Sequence, residues 1–403
     1  MNVEDIVRGS LREMAGETEP PPAALADRVL ALRRRRRTRT VVTVAASAAT
    51  VIAIAVGVPL LDGSDGRDAR PAHVVGPVVA HADQSPPRDL IAAGNAVVAG
   101  YSTQKQVRQP DKDKITTRTY WLLDPASRTY KKYDQWSFVA VAPGARLAAV
   151  LERELPVSRV GLLDLSTGKV ERWIPVPQGA GGLAFSPDGT KLVATTYAKN
   201  PDRAFWSKRI PVNDTIEPQT VPSRTGFTLI DVASGEGQWH KLPYWKDKIG
   251  LSLNARADLE FSHDGKLLWE PLSMNPGAQY HAFDGTKVAT PAAEAHADPW
   301  VDAGISPDGK LVAGGFAGEG KEIASAVNDA ATGKRITKVP GQQLLAWADG
   351  KRLIAWGIGG DHNEYHQRLV LVTVGSKKVV PLSGFRSPKD DTRGRWEPLF
   401  TTR

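Results

Sequence analysis

Short apolar runs alternate with turn residues from about residue 88 to the end of the chain. One recurrent unit places an Asp-Gly turn between two apolar stretches, as in "FSPDGTKLVATT" from Phe185. Pro and Asp-Gly favour the tight turns that join paired strands, so each copy predicts a β-hairpin. Further copies begin at Phe261, Ile305 and Trp347, and a looser one begins at Val141.

A second unit alternates with the first and consists of an apolar strand that ends in Asp, a small turn, and Lys or Arg. Asp124 and Asp164 of this unit lie 40 residues apart. The first unit has a similar period, since Asp264 and Asp308 lie 44 residues apart. A period of this length with four short strands predicts an all-β chain with the fold of a β-propeller. Copies of the second unit begin at Tyr120, Val160, Phe227, Gln279, Ala324 and Leu369.

Six copies of the second unit predict a six-bladed propeller over residues 88–403. A seventh blade assembled from residues 73–80 and 395–403 is the alternative, because pairing of both ends of the chain would remove an open sheet edge. The serines of the turns, Ser186, Ser262 and Ser306, are interpreted as turn residues. The segment "GISPDG" lacks the spacing of a nucleophile elbow.

The hairpin "FSPDGTKLVA" and the strand and turn "LLDLSTGKV" resemble the WD40-like repeats of the TolB-type periplasmic propeller family. The resemblance covers residues 88–382 and implies the fold. It implies little about function, because this fold serves receptors, scaffolds and hydrolases. The Gly-His and Trp-Asp pairs of true WD40 repeats are missing, so their hydrogen-bond network is not carried over.

Charge and hydropathy single out the beginning of the chain. The formal net charge is +8, and residues 28–39 hold seven arginines and no acid, so the remainder is close to neutral. Residues 41–61 contain no charged residue, and as a helix they would span about 31 Å, the thickness of a bilayer core. We therefore predict a single transmembrane helix at 41–61. A cleaved signal peptide and a buried soluble helix are the alternatives.

The arginines before this run predict the orientation of the chain, because basic residues stay on the cytoplasmic side. Residues 1–40 form a predicted cytoplasmic helical segment, residues 62–87 a linker, and residues 88–403 an extracellular domain at the plasma membrane. The first 37 residues resemble the cytoplasmic starts of membrane partners of extracytoplasmic-function sigma factors. That resemblance implies a cytoplasmic partner for residues 1–40. The chain has no cysteine, so the His-Cys-Cys zinc motif of such partners is missing.

One repeat carries a long insertion, residues 198–225, which we interpret as a loop between two strands of the third blade. Long loops on rigid scaffolds often carry recognition. The alternative is an insertion that packs over its own blade or contacts nothing. A second loop-like run, "LPYWKDK", presents two aromatic residues at the predicted rim. The candidate ligand-binding residues are Arg203, Phe205, Trp206, Arg209, Tyr244 and Trp245.

Other chemistry is not indicated. His362 and His366 lie in a predicted hairpin loop, where a solvated loop is favoured over a metal site. The other tryptophans are interpreted as core between blades. No phosphate loop, dinucleotide fingerprint, catalytic triad order or EF-hand is present, so we predict no cofactor, metal or catalytic residue. The basic block is short and the remainder neutral, which argues against a nucleic-acid partner.

These features predict a membrane-anchored extracytoplasmic propeller that binds a protein, peptide or glycan at the cell envelope, with a sensory role. A hydrolase or cyclase with a site in the central channel is one alternative, and an envelope scaffold is another. Acidic or histidine side chains that converge at one channel mouth would favour the enzyme. A mouth of apolar and aromatic groups would favour binding.

Overall fold

The computed structural model describes residues 77–212, 215–243, 256–272, 276–388 and 395–403. The predicted cytoplasmic segment 1–40, the predicted transmembrane helix 41–61 and most of the predicted linker lie outside these residues. Within the described ranges, no helix is both long and apolar enough to cross a bilayer. The described residues form 25 strands and one short 3₁₀ helix, Ala292–Glu294, so the predicted all-β class is confirmed.

The strands follow one another closely along the chain. The first thirteen are β1 (Ala92–Ala93), β2 (Ala96–Arg108), β3 (Lys114–Asp124), β4 (Thr129–Tyr133), β5 (Trp136–Val141), β6 (Leu147–Glu152), β7 (Val157–Asp164), β8 (Lys169–Phe185), β9 (Lys191–Tyr197), β10 (Arg203–Val212), β11 (Thr215–Thr220), β12 (Arg224–Asp231) and β13 (Gly237–Lys241). The remainder are β14 (Glu260–Phe261), β15 (Leu268–Pro271), β16 (Ala278–His281), β17 (Lys287–Val288), β18 (Leu311–Phe316), β19 (Ala324–Asp329), β20 (Arg335–Pro340), β21 (Gln343–Trp347), β22 (Arg352–Ile358), β23 (Gln367–Thr373), β24 (Val379–Pro381) and β25 (Glu397–Thr402).

Within the described residues these strands form five sheets, in which neighbouring strands pair antiparallel. The C-terminal strand β25 pairs with β2, with Ala96 opposite Thr402 and Ser102 opposite Glu397. The two ends of the domain are thereby joined in one sheet. The first sheet contains β1–β4, β10, β11 and β25, the second β5–β9, β12 and β13, the third β14–β17, the fourth β18–β20, and the fifth β21–β24.

The second sheet contains two meanders that share one long strand. The first half of β8 pairs with β7, and its second half pairs with β9, from Ala180 opposite Thr196 to Phe185 opposite Leu192. One strand therefore serves as the last strand of one meander and the first strand of the next. This explains why two successive sequence repeats appear in a single hydrogen-bonded sheet.

Buried apolar side chains connect the sheets in series. Residues of β3 and β4 pack with β5 and β6, and residues of β9 and β12 pack with β14 and β15. Residues of β18–β20 pack with β21–β23, and β22 and β23 pack in turn with β1 and β2. The segment between the third and fourth sheets contacts both: Glu294 accepts hydrogen bonds from Tyr280 Oη at 2.8 Å and from His263 N at 2.9 Å, and His296 lies against Gly333 in the turn between β19 and β20. Because the last sheet contacts the first, the series is closed, which is the arrangement of a β-propeller.

The Ser-Pro-Asp-Gly turns have the geometry that the sequence predicts. Gly189, Gly265 and Gly309 have φ of 71–72°, the left-handed region that favours glycine. In the first copy, Ser186 Oγ donates to Asp188 Oδ1 at 2.5 Å and accepts from Lys191 N at 2.9 Å. The other two copies repeat both bonds. These serines are buried and hold the turn closed, as their interpretation as turn residues requires.

Candidate functional site

The insertion 198–225 is a hairpin, and its interpretation as a loop is wrong. Within it β10 and β11 pair with each other, and the start of β10 pairs with β3, with Arg203 opposite Ile115 and Ala204 opposite Lys114. The hairpin leaves β9 of the second sheet and joins the extended ends of β2 and β3 in the first. We call residues 103–117 together with β10 and β11 the bridged sheet.

Ion pairs hold the bridged sheet together. Arg203 pairs with Asp111 and with Asp113, whose Oδ2 lies 2.6 Å from Arg203 Nε. The backbone N–H of Trp206 donates to Asp113 Oδ1 at 2.7 Å. Burial alone would raise the pKa of Asp113, but the Trp206 N–H and the Arg203 guanidinium lower it. Arg203 therefore joins β10 to the turn between β2 and β3, and its guanidinium is already engaged by carboxylates.

The two candidate aromatic residues of β10 are half-buried and contact cations. Arg203 lies over the Phe205 ring at 5.6 Å. Trp206 lies between Lys112, at 5.7 Å, and Arg209, at 5.4 Å. Arg209 itself is exposed. Of the candidates in the insertion, Arg203, Phe205 and Trp206 fix the hairpin, whereas Arg209 faces solvent.

The remaining candidates fall elsewhere. Tyr244 and Trp245 lie outside the described residues. His366 Nδ1 is 3.0 Å from Asp361 Oδ2, and its ring contacts Phe385 at 4.4 Å. Across the described ranges, no group of three or more His, Asp or Glu side chains has the arrangement of a metal site. The tryptophan prediction has an exception in Trp300, which is 48% exposed.

A second group of residues, which the sequence reasoning missed, begins at the foot of the hairpin. Asp202 accepts two hydrogen bonds from Arg118, at 2.6 and 3.0 Å, and lies 3.4 Å from Arg256 Nε. The Phe138 ring lies near both guanidinium groups, 6.0 Å from Arg118 and 4.7 Å from Arg256. One buried carboxylate from the insertion therefore joins the first sheet to the segment that precedes the third.

The group continues through Arg256 to a carboxylate of the third sheet. Arg256 Nη1 donates to Gly181 O at 3.1 Å and lies 3.5 Å from Asp258 Oδ2. Tyr197 Oη donates to Asp258 Oδ1 at 2.8 Å and accepts from Ala257 N at 3.1 Å. Burial is the main cause that raises the pKa of Tyr197, so this phenol remains a donor across the physiological range.

Glu260 completes the group, and the pKa of its carboxyl is raised. Burial, followed by the nearby carboxylates of Asp258 and Asp302, raises the pKa of Glu260 to about 7. The Glu260 side chain is nevertheless exposed to solvent, which weakens the effect of the surrounding protein on its pKa. Asp302 in turn accepts from Gln343 Nε2 at 2.9 Å.

Arg118 lies in the first sheet and Glu260 in the third, and Asp302 precedes the fourth sheet in the chain. Phe138 of the second sheet lies beside Arg256, and Gln343 of the fifth donates to Asp302. Elements from around a closed ring meet only at its centre. We therefore place the group at the mouth of the central channel. It holds guanidinium groups, carboxylates and one carboxyl that titrates near neutral pH, so it can bind groups of either charge and exchange a proton. We call it the mouth cluster, and its members are Arg118, Asp202, Arg256, Asp258, Glu260 and Asp302.

The repeats contain a signal that would have located part of the mouth cluster. The residue seven positions before each turn glycine lies in or just before the strand or β-bridge that leads into the turn. Two of these positions hold Asp, and Gly182, at a third, leaves the space that Asp258 occupies: a Cβ there would lie 2.0 Å from Asp258 Oδ1. Glu260 stands where the copy in β8 has Ala184. The five positions are Ser137, Gly182, Asp258, Asp302 and Gln343.

Comparisons with known proteins give likeness in fold alone. No family model matches the chain, and no curated protein matches it in sequence. TolB from Acinetobacter baumannii is 15% identical, with 72% of this chain and 68% of TolB covered and a TM-score of 0.33. The β-propeller domain of Myceliophteria thermophila Cps50 (Swd1) is 11% identical, with 78% and 98% covered and a TM-score of 0.38. An oligogalacturonate lyase in complex with manganese is 12% identical, with 78% and 96% covered and a TM-score of 0.38. The architecture here therefore rests on the strand pairing of the chain itself.

Proposed function

We propose that the chain is a single-pass protein of the plasma membrane, with residues 1–40 in the cytoplasm, a transmembrane helix at 41–61 and a propeller outside. The uncharged run beside seven arginines supports this orientation. We propose six blades, with β25 completing the first, because each repeat then supplies one meander. Residues 1–40 would contact a cytoplasmic partner, which gives the protein a sensory role.

Outside, the propeller binds a protein, peptide or glycan of the envelope at the mouth cluster. The observation that supports this proposal is the mixed-charge group of the mouth cluster, in which Asp202 at the foot of the inserted hairpin pairs with both Arg118 and Arg256. The bridged sheet extends the binding face, and Trp206 and Arg209 offer an aromatic and a cationic contact beside it. Arg203 and Phe205 orient them, and Tyr244 and Trp245 are further proposed contacts.

Site-specific photocrosslinking tests the ligand site in the full chain, in its native membrane. A photoreactive amino acid replaces Trp206. As a control, it replaces Ala331, which lies on the exposed turn between β19 and β20. We expect Trp206 to capture an envelope component that Ala331 does not, and Asp302→Asn to reduce the yield severalfold. Equal capture at both positions, or capture that Asp302→Asn leaves unchanged, would contradict a ligand at the mouth.

Orientation is tested separately with intact spheroplasts and added protease. Exposed propeller should be digested, whereas a tag before Arg33 should be protected. Protection of the propeller would reverse the orientation. A mature protein without residues 1–61 would show that the apolar run is a cleaved signal.

One observation favours the enzymatic alternative, a hydrolase or cyclase. A carboxyl with a pKa of about 7 beside two carboxylates is suited to general acid catalysis at neutral pH. Glu260→Gln keeps the shape of the side chain and removes the proton exchange. If the captured component is bound by Glu260→Gln but converted only by the parent protein, the enzyme is favoured. If the parent converts nothing, binding remains the function.

A further inference from the structure

Two exposed aromatic side chains lie close to the mouth cluster in the chain. Among the aromatic residues that the structure describes, Trp300 and Phe316 are the two in the exposed class, at 48% and 57%. Trp300 stands two residues before Asp302 of the mouth cluster, so the Cα atoms of this pair are at most about 7 Å apart. Phe316 ends β18.

One carboxylate lies between these two aromatic residues. Asp298 Oδ1 accepts a hydrogen bond from the backbone N–H of Trp300 at 3.0 Å. Asp298 Oδ2 lies 3.9 Å from the position that a Cβ at Gly315, next to Phe316, would occupy. Among the described residues, no Lys or Arg side chain forms an ion pair with Asp298. Its Oδ2 therefore remains an acceptor for a ligand.

A β-bulge at the end of β18 leaves open space beside Asp298. Gly314 and Gly315 together oppose one residue of β19, because the register shifts between Ala313 and Phe316. Packing explains Gly314, where a Cβ would lie 3.0 Å from a side chain of β19. Packing does not explain Gly315, which is exposed and where a Cβ would meet only Asp298. A glycine of this kind within a strand often marks the close approach of a ligand.

The charge beside this open space is negative. The loop after Phe316 is balanced, because its two acids pair with Lys338 and it carries one further cation, Lys321. The carboxylates of Asp298 and Asp302 add to that balance. The guanidinium groups of the mouth cluster offset them little, since both already pair with Asp202. An aromatic face and a carboxylate both attract a cation.

We propose that Trp300, Asp298 and Phe316 form a subsite for the ammonium or guanidinium group of a lysine or arginine side chain. The inference rests on the proposed function of the mouth cluster, and it selects a basic protein or peptide from the ligands proposed there. The cation lies against the aromatic faces with Asp298 Oδ2 as its counter-ion, and the peptide passes over Gly315. Together these interactions contribute about tenfold to affinity.

Two probes that differ by one charge test this subsite in the full chain. The charged probe is the peptide Gly-Lys-Gly with a trifluoroacetyl group at its N-terminus and an amide at its C-terminus. The neutral probe is the same peptide with an acetylated lysine side chain. Broadening of the fluorine NMR line of each probe measures its binding. We expect the charged probe to bind about tenfold more tightly at low salt, and this ratio to fall as salt is added.

Fluorotryptophan in the same chain locates the bound probe. The resonance of Trp300 is assigned by its loss in Trp300→Phe. It should shift as the charged probe is added and should not shift with the neutral probe. The resonance of Trp206 should stay in place, because its ring already lies between Lys112 and Arg209.

Substitutions separate the charge, the aromatic face and the open space. Asp298→Asn keeps the acceptor for the Trp300 N–H and removes the charge, whereas Trp300→Leu keeps an apolar side chain and removes the aromatic face. Each should weaken binding of the charged probe about threefold and change binding of the neutral probe by less than about twofold. Gly315→Leu should abolish binding of both probes. Gly360→Leu, at another glycine with no neighbour within 4 Å, is the control and should abolish neither.

Urea midpoints show that each variant is folded, and the outcomes are then distinct. Equal binding of the two probes would overturn the inference, as would a preference for charge that Asp298→Asn and Trp300→Leu both leave unchanged. A shift of the Trp300 resonance with N-acetylglucosamine but not with the charged probe would assign the subsite to a glycan instead. If photocrosslinking at Trp206 still captures an envelope component, these failures leave the proposed ligand at the mouth intact. Binding of the charged probe without any captured component would contradict that ligand but not the subsite.

Discussion

The repeat turns and the inserted hairpin are both β-hairpins, but different interactions hold them. A Ser-Pro-Asp-Gly turn is closed by residues within five positions of one another, such as Ser186 Oγ with Lys191 N. The inserted hairpin is held by pairs far apart in sequence, such as Arg118 with Asp202, which are 84 positions apart. A short stretch of sequence is therefore enough to predict a Ser-Pro-Asp-Gly turn. The inserted hairpin exists only once the ring has closed.

Removal of the Asp202 side chain should cause the largest loss of unfolding free energy among these substitutions. Asp202→Ala leaves the guanidinium groups of Arg118 and Arg256 without their shared carboxylate in a mostly buried site. Loss of one partner of a buried ion pair costs about 3–5 kcal/mol of unfolding free energy. Urea denaturation of the full chain measures it. The control is Asp134→Ala, whose exposed pair with Lys132 is worth less than about 1 kcal/mol. Equal losses would show that the long-range contacts do not hold the hairpin.

Substitution of the turn glycines should have the next largest effect on the unfolding free energy. Two of these glycines separate the cost of backbone strain from the cost of crowding. Gly189→Val and Gly309→Val both place a β-branched residue at φ 72°. A Cβ at Gly189 would lie 3.3 Å from Pro143, whereas Gly309 has no neighbour within 4 Å. If strain decides, both lose about 1–3 kcal/mol of unfolding free energy. Gly360→Val, in open space without a positive φ, should change it by less than about 0.5 kcal/mol. A loss at Gly189 alone would assign the effect to Pro143.

The hydroxyl of the turn serine should have a smaller effect. Ser186→Ala removes one donor and leaves the backbone N–H of Lys191 without its side-chain acceptor. We expect a loss of about 1–2 kcal/mol in thermal or urea unfolding, because the site is buried. Ser207→Ala on the exposed inserted hairpin should be near neutral. A folded Ser186→Ala protein that keeps its stability but loses ligand binding would overturn the structural interpretation.

Local patterns in the sequence predict the strands, the turns and the period, because each depends on residues that are close along the chain. The mouth cluster depends on contacts between residues far apart in the sequence. The residues next to Arg118 and Arg256 in the chain do not indicate that both arginines pair with Asp202. Asp258 and Asp302 are an intermediate case. They occupy one repeat position, so alignment of the repeats brings them together, although no short motif does. The insertion was located correctly, but its strands were missed, because β10 depends on pairing with β3.

The smallest expected effect concerns the pH dependence of the mouth cluster. The folded-state pKa of Glu260, about 7, exceeds its ordinary value of 4.5. The folded state therefore binds a proton more tightly than the unfolded state between these values. This contribution to stability is fully present below about pH 4.5 and is lost as pH rises through 7. Glu260→Gln cannot titrate, so its melting temperature should equal that of the parent near pH 4 and exceed it slightly at pH 8. Water reaches this side chain, which limits the difference to a few degrees.

Glu154→Gln, on an exposed turn, is the control and should follow the parent at every pH. A Glu260→Gln protein that also follows the parent would show that the carboxyl at the mouth titrates as an ordinary surface group, and the case for acid catalysis there would fail.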